Sequence, residues 1–402
     1  MMQQLEALRL ARNCAIGENP IEIPQNSWVR SHQHVLCTQV AIIPASWSIR
    51  VTIRRRRGAV VGFGFIAESG HLPAYRACDE FEIVAVADIN DARREAAARA
   101  LPGARIYTDH ESLLAHEANN LDFVDITAPP YAHTPIARAA LSQGLHVLCE
   151  KPLATSVEDV RSLFALAEQN KCVLFPSHNY RHAPVIKAVR ETLDSGAIGK
   201  VHMVTLATFR NTHARGVKEW NEHWRRQRCF SGGGIAMDHG SHTFYLAFEW
   251  LRSYPTSIVA KTGAAAAFDT EDNFQAMLTF PTGTATAQLS WTAGVRKVIY
   301  TIHGEHGAVR VEDDDVETSV FHANGDPKPQ WHRSTQNVSS SWMDASHATW
   351  FGSLFESFAK AMDERSYVGA DAHDALRCIE VIRAAYASAR ENSREQPLGV
   401  AS

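Results

Sequence analysis

From Gly58 onward, short apolar runs alternate with helix-forming stretches, and this rhythm narrows the possible folds more than any other feature. GAVVGFG is a buried-strand run, and FIAESGHLPAYRAC after it reads as a helix. EIVAVAD is a second strand and INDARREAAARAL a strong helix former. LDFVDIT, a turn through Pro129 and Pro130, PIARAALSQG and HVLCE repeat the unit, and SVEDVRSLFALAEQNK with CVLFPS adds another. Strands separated by helices of about ten residues pair in parallel through right-handed crossovers. The expectation for residues 58–177 is a doubly wound parallel sheet of the α/β class.

Beyond about residue 178 the rhythm changes. KVHMVTLATFR, SIVAKTGAAAAF, NFQAMLTF, TATAQLSWTA, KVIYTIHG and GAVRVEDDD are strand candidates joined by turns such as FPTGT and GEHG. WFGSLFESFAKAMDE and AHDALRCIEVIRAAYASARE close the chain as two helices. This predicts a second, α+β domain over residues 178–395, built on a large, mostly antiparallel open sheet. The 402 residues are enough for two such cores. Residues 1–57 show no sustained period and carry NP and IP breaks. They read as an extension, in part disordered, or as a start placed upstream of a natural beginning near Val51.

Charge and cysteine usage exclude several function classes. A formal net charge of −4 offers no pull toward nucleic acid or an anionic membrane. The basic run Arg54–Arg57 leads directly into an apolar strand and reads as its solvated entry. Seven scattered cysteines, with no CxxC and an odd total, fit a reducing compartment better than a disulfide framework. No window supplies the roughly 20 apolar residues of a membrane span, and the N-terminus lacks a secretion signal, so the expected location is the cytoplasm.

Gly62-Phe63-Gly64-Phe65-Ile66-Ala67 lies after the first strand and opens the first helix. Gly62 permits a tight turn, and Gly64 lets backbone approach a pyrophosphate held at a helix N-terminus. Asp88, at the end of the second strand, would accept hydrogen bonds from a ribose hydroxyl and repel a 2′-phosphate. NAD is therefore favoured, while Arg93 and Arg94 keep NADP open unless they simply form the exposed face of their helix.

The ordered set GFGFIA, ITAPPYAH, HVLCEKPLA, SHNYRHAP and GGGIAMDHGSH resembles the Gfo/Idh/MocA family of NAD(P)-dependent oxidoreductases over residues 58 to about 395. The resemblance implies an N-terminal Rossmann domain and a C-terminal α/β domain whose open sheet makes oligomer contacts, as a homodimer or homotetramer. It implies redox chemistry on a sugar, cyclitol or related polyol. It also implies a catalytic trio of Lys151, Asp238 and His242, and a cofactor site lined by Phe65, Ile66, Ala128, Pro129, His133, Glu150 and Lys151. Tyr180 stands where inositol dehydrogenases often carry a second basic residue, which argues against a cyclitol.

The stretch from Gly232 to His242 gives these residues a chemistry. Its glycines suit a close approach of backbone to a ligand before a helix begins. On one helix, Asp238 and His242 stand four apart on a single face while His239 points elsewhere. The carboxylate would fix the His242 tautomer, leaving the other ring nitrogen to accept an alcohol proton. Lys151 would stabilise the developing alkoxide, with Glu150 and Pro152 setting its direction.

A metal site using Asp238, His239 and His242, with His213 or His223, is the weaker reading, because hydride transfer needs no metal. His178 and His182 read as structural or pocket-lining, Arg181 as an anchor for a carboxylate or backbone, and Tyr180 and Trp224 as contacts for the polyol. Two competing functions share these residues: a redox-neutral glycosidase that oxidises transiently with bound NAD, and a cofactor-sensing regulator without catalysis.

Overall fold

The computed structural model describes residues 54–265, 268–322, 330–339, 342, 344 and 346–399. The readings made for residues 1–53 lie outside this set. Two sheets organise the described chain. The first has six parallel strands in the order β3-β2-β1-β4-β5-β6, namely Arg105–Tyr107, Phe81–Ala87, Arg56–Val61, Phe123–Ile126, His146–Cys149 and Leu174–Pro176. The order reverses between β1 and β4, which opens a crevice at the carboxyl ends of these strands where ligands of doubly wound folds bind. Most residues of β1, β2, β4 and β5 are buried, as expected for strands covered on both faces.

The basic run enters β1 itself. Arg54 pairs with Asp122 (3.0 Å) and Arg55 with Asp79 (2.7 Å), while Arg56 and Arg57 are strand residues. The strand therefore starts two residues before the expected Gly58.

The second sheet has nine strands in the order β14-β13-β12-β11-β7-β10-β9-β8-β15. In chain order these are β7 Val201–Phe209, β8 Ser257–Gly263, β9 Asn273–Phe280, β10 Gly283–Ser290, β11 Lys297–Gly304, β12 Gly307–Glu312, β13 Asp315–His322, β14 Gln330–Asn337 and β15 Gln396–Pro397. Every neighbouring pair is antiparallel except β7 and β10. One face packs on the helices Gly240–Leu251 and Ala370–Arg390 through inward residues such as Leu206, Leu289, Val298 and Tyr300.

The penultimate helix departs from the simple division of the chain. Ala348–Asp363 comes late in sequence but packs on the first sheet, where Phe351, Leu354, Phe355 and Phe358 join Tyr75, Phe81, Phe123 and Phe175 in one core. Leu174 N–H also donates to the Tyr367 carbonyl (2.9 Å), so the returning chain caps β6. The aromatic face of this helix buries several large rings, each worth about 2 kcal/mol of transfer free energy. Sequence order alone assigned it to the other half of the chain.

Candidate active site

A cleft of about 740 Å³ runs along the carboxyl ends of β1, β4 and β5 and extends to the loops beyond β7. At one end Gly62 turns with φ +93° and donates its N–H to the Ala87 carbonyl (2.8 Å). An added Cβ there would lie 2.6 Å from the Ala128 amide nitrogen, so no side chain fits. A Cβ on Gly64 would meet nothing within 4 Å; its backbone faces open space in the cleft, as a pyrophosphate cradle requires. Ala67, in place of a third glycine, is buried against Val60, Phe63 and Leu72. Phe65, Ile66, Ala128 and Pro129 all line the same cleft.

Asp88 follows β2 and lines this end of the cleft. Its carboxylate accepts from the amides of Phe63 (2.7 Å) and Asn90 (2.8 Å), while burial pushes its pKa upward against those bonds. Arg93 is buried rather than on an exposed helix face: Nε donates to the Phe63 carbonyl (2.7 Å) and the guanidinium pairs with Glu68. Arg94 donates to the Asp88 carbonyl (2.8 Å) and pairs with Asp91. Both arginines are engaged by the protein itself.

Glu150 and Lys151 lie at the carboxyl end of β5 and line the cleft, and the Lys151–Pro152 bond is cis. His133, expected beside them as a cofactor contact, is fully buried and absent from the cleft wall. Its two ring nitrogens lie 2.8 Å from the Pro152 carbonyl and 2.7 Å from the Ala128 carbonyl. It braces two cleft-lining turns from behind instead of touching a ligand.

Beneath Glu150 lies a group that the motifs did not reveal. His71 has Nδ1 2.7 Å from Asp125 and Nε2 3.1 Å from Glu150, and Tyr75 donates to the same Asp125 oxygen (3.0 Å). Burial alone would lower the His71 pKa, but the two carboxylates outweigh it and raise it to about 9. Glu150 also accepts from Ser177 (2.8 Å) and from the Lys151 amide (3.2 Å). Asp125 was visible as the one charge inside the apolar run FVDI, a buried acid that demands a partner.

The expected Asp238–His242 pair is not formed. The segment is two helices, Ile235–Asp238 and Gly240–Leu251. Asp238 turns its main-chain carbonyl to Lys151 Nζ (2.8 Å), and its carboxylate accepts from the same ammonium (3.0 Å). His239, read as pointing away, is the imidazole partner of Asp238 (Nδ1 3.2 Å), and Arg225 Nε stands 3.5 Å from the carboxylate. Burial would raise the Asp238 carboxyl, but Lys151, Arg225 and His239 together hold it well below the usual range.

His242 finds a different partner. Its Nδ1 lies 2.8 Å from the Tyr245 hydroxyl, and its ring stacks on Tyr180 at 3.8 Å. Among the described residues Nε2 has no hydrogen-bond partner, and the residue lines the cleft. Burial, then the charges of Lys151 and His239, hold its pKa well below the ordinary histidine value, so the ring is neutral. Tyr180 and Trp224 also line the cleft, and Trp224 carries the Arg225 guanidinium 4.1 Å above its ring.

The glycine run approaches protein, not ligand. A Cβ on Gly234 would sit 1.8 Å from the Glu271 carbonyl oxygen, and the Glu271 carboxylate accepts from the amides of Gly234 and Ala236 (3.0 Å each). This buried carboxylate starts the helix that carries Asp238. Arg181 anchors carboxylates as expected, pairing with Asp371, Asp374 and Glu249. His178 is buried, stacked on Tyr245 at 4.2 Å, and His182 lines a separate cavity. Among the described residues no group of three or more His, Cys, Asp or Glu side chains is placed to hold a metal ion.

The fold and the cleft define a two-domain α/β protein with a dinucleotide-binding parallel sheet. The chain belongs to the Gfo/Idh/MocA oxidoreductase family: the NAD-binding Rossmann domain matches residues 56–178 and the C-terminal alpha/beta domain residues 190–398. It is similar to D-apiose dehydrogenase of Paraburkholderia graminis, with 37% identity over 148 residues, 37% of this chain and 39% of that protein. The chain spans about half the length of the curated relatives it matches. Among solved structures, GenD2 from gentamicin A biosynthesis in complex with NAD superposes with a TM-score of 0.72 at 25% identity, covering 87% of this chain and 98% of that one. A levoglucosan dehydrogenase–NADH complex shares the fold, with a TM-score of 0.74 at 19% identity over 87% of this chain and 100% of its own.

Proposed function

We propose that the chain is an NAD-dependent dehydrogenase that oxidises a secondary alcohol of a sugar or related polyol. The observation that carries this reading is the division of labour around Lys151. An ammonium has three donors. Two of them go to the Asp238 carbonyl and carboxylate, leaving the third for a substrate oxygen in the cleft. The neutral His242 ring, with Nδ1 committed to Tyr245, offers Nε2 to the hydroxyl proton.

Gly62 and Gly64 would hold the pyrophosphate and Asp88 the adenosine ribose, while the turns at Ala128–Pro129 and Glu150–Lys151 would bracket the nicotinamide. Bound there, nicotinamide supplies the hydride acceptor. Lys151 polarises the alcohol oxygen and stabilises alkoxide character, and His242 removes the proton at Nε2. Trp224 and Tyr180 present aromatic faces to the apolar side of a sugar. The relation to a protein named D-apiose dehydrogenase supports a sugar as substrate. Assembly as a homodimer or homotetramer belongs to the same proposal, supported by Met203 and Met277, 42% and 52% exposed on the second sheet.

The test is a panel of sugars and polyols with the full-length protein and NAD, followed at the NADH absorbance and by released sugar. NADH growth with one substrate, lost in His242→Ala with NAD binding retained, supports the reading. Sugar release without net NADH, or no turnover across the panel with tight NAD binding, overturns it.

A further inference from the structure

At the substrate end of the cleft the positive charges outnumber the negative ones, and the imbalance is built into the sheet. Lys297 of β11 pairs with Phe209 of β7. The next residue along each antiparallel strand is arginine, Arg296 and Arg210, so the two leave the ladder side by side. Alternation places them on the face of Val298 and Thr208, the inward one, where that face opens into the cleft. Like charges placed opposite each other on a sheet are destabilising, and more so when partly withdrawn from water.

Among the described residues neither guanidinium makes an ion pair; Asp344 and Asp313, the latter paired with Lys297 (3.2 Å), act on Arg296 only from a greater distance. Arg210 donates to the Phe209 carbonyl (3.0 Å) and Arg296 reaches the Trp342 carbonyl at 3.5 Å. Arg296 Nε is buried without a hydrogen-bond partner. Burial, then the facing Arg210, lowers the pKa of the Arg296 guanidinium. Other cations nearby are accounted for: Lys151 and Arg225 share Asp238, and Arg215 pairs with Glu222. The surplus lies close to the proposed base. Trp342 packs on Tyr180 with ring centroids 5.0 Å apart, and Tyr180 stacks on His242.

We propose that Arg210 and Arg296 together grip an oxyanion group, a carboxylate or phosphate monoester, carried by the sugar that Lys151 and His242 act on. Guanidinium forks from neighbouring strands suit such a group, and its charge would relieve their mutual repulsion. The inference rests on the dehydrogenase reading for its substrate but not for its binding site.

The test uses the full-length protein with NAD and substrate pairs that differ by one anionic group: a uronate or a sugar 6-phosphate against the matching neutral sugar. The ratio of kcat/KM for the anionic over the neutral member is expected to favour the anion and to fall about 10- to 100-fold in Arg210→Gln and Arg296→Gln, with partial recovery in Arg296→Lys. The member preferred, uronate or phosphate, identifies the group. Binding is read separately from turnover, by calorimetry of the same anionic sugars with NAD-loaded protein. Binding lost in both glutamine variants, with their melting temperatures unchanged or raised, supports the site even if no sugar is oxidised, in which case the dehydrogenase reading fails alone. Equal affinity for neutral and anionic sugars, or anion binding untouched by both substitutions, overturns it.

Discussion

The Tyr245 hydroxyl lies 2.8 Å from His242 Nδ1, one turn further along the same helix, and takes the orienting role that the neighbouring Asp238 leaves unfilled. Tyr245→Phe is therefore expected to lower kcat by about 10-fold with a smaller change in KM, since an outer hydrogen bond sets tautomer and ring angle. His242→Ala should cost about 10²–10⁴ in kcat. Because burial, with Lys151 and His239, holds this imidazole below its ordinary value of 6.5, kcat/KM should stay level from pH 8 to pH 6.5 and fall only below that. An acid limb centred above pH 7 would contradict the assignment.

Lys151→Met removes the ammonium while keeping most of the side chain's length. Loss of the oxygen-polarising donor predicts a fall in kcat/KM of about 10²–10³, with NAD affinity nearly unchanged. Steady-state kinetics and a fluorescence titration with NADH measure the two quantities. A loss of cofactor affinity with kcat preserved would move Lys151 from the chemistry to the binding site.

Asp88 has both carboxylate oxygens on backbone amides, from Phe63 and Asn90, so its position is held before any ribose arrives. Asp88→Asn keeps the shape and removes the charge that repels a 2′-phosphate. The ratio of kcat/KM for NAD over NADP should fall by about tenfold or more. An unchanged ratio would show that discrimination lies elsewhere.

His71, held between Asp125 and Glu150, makes stability depend on pH. Its folded pKa of about 9 exceeds the ordinary 6.5, so its contribution is complete below pH 6.5 and is lost as pH rises through 9. The full shift corresponds to about 3 kcal/mol. Urea unfolding at pH 6.5 and pH 9 should show the wild type losing stability over that interval and His71→Gln losing less. Equal slopes in the two proteins would remove the charge from this imidazole.

The parallel sheet and the dinucleotide end were legible because their determinants are local. GAVVGFG carries a strand, a turn that only glycine fits at Gly62, and open backbone at Gly64 within seven residues. Asp88 could be read from its place at the end of a strand. Most of the second sheet was readable from period-two runs, of which NFQAMLTF alternates buried and exposed side chains most regularly, but β13, β14 and β15 were not among the expected strands.

The partners at the chemical centre were not legible, because they are set by residues distant in sequence. Helical spacing joined Asp238 to His242, yet Lys151, 87 residues away, takes the Asp238 carbonyl and carboxylate. Glu271 captures the amides at the helix start, and the phenol of Tyr245 claims the imidazole. Similarly, His133 sits in a cofactor-lining motif but is turned inward by two carbonyls, and His71 has no motif at all. Sequence by itself determined most of the strands and helices and where backbone can approach a dinucleotide, since those depend on side-chain periodicity and steric access along the chain. Tertiary structure decided which charge meets which, including the paired Arg210 and Arg296, because strand register and helix packing set those distances and neither is encoded in spacing along one segment.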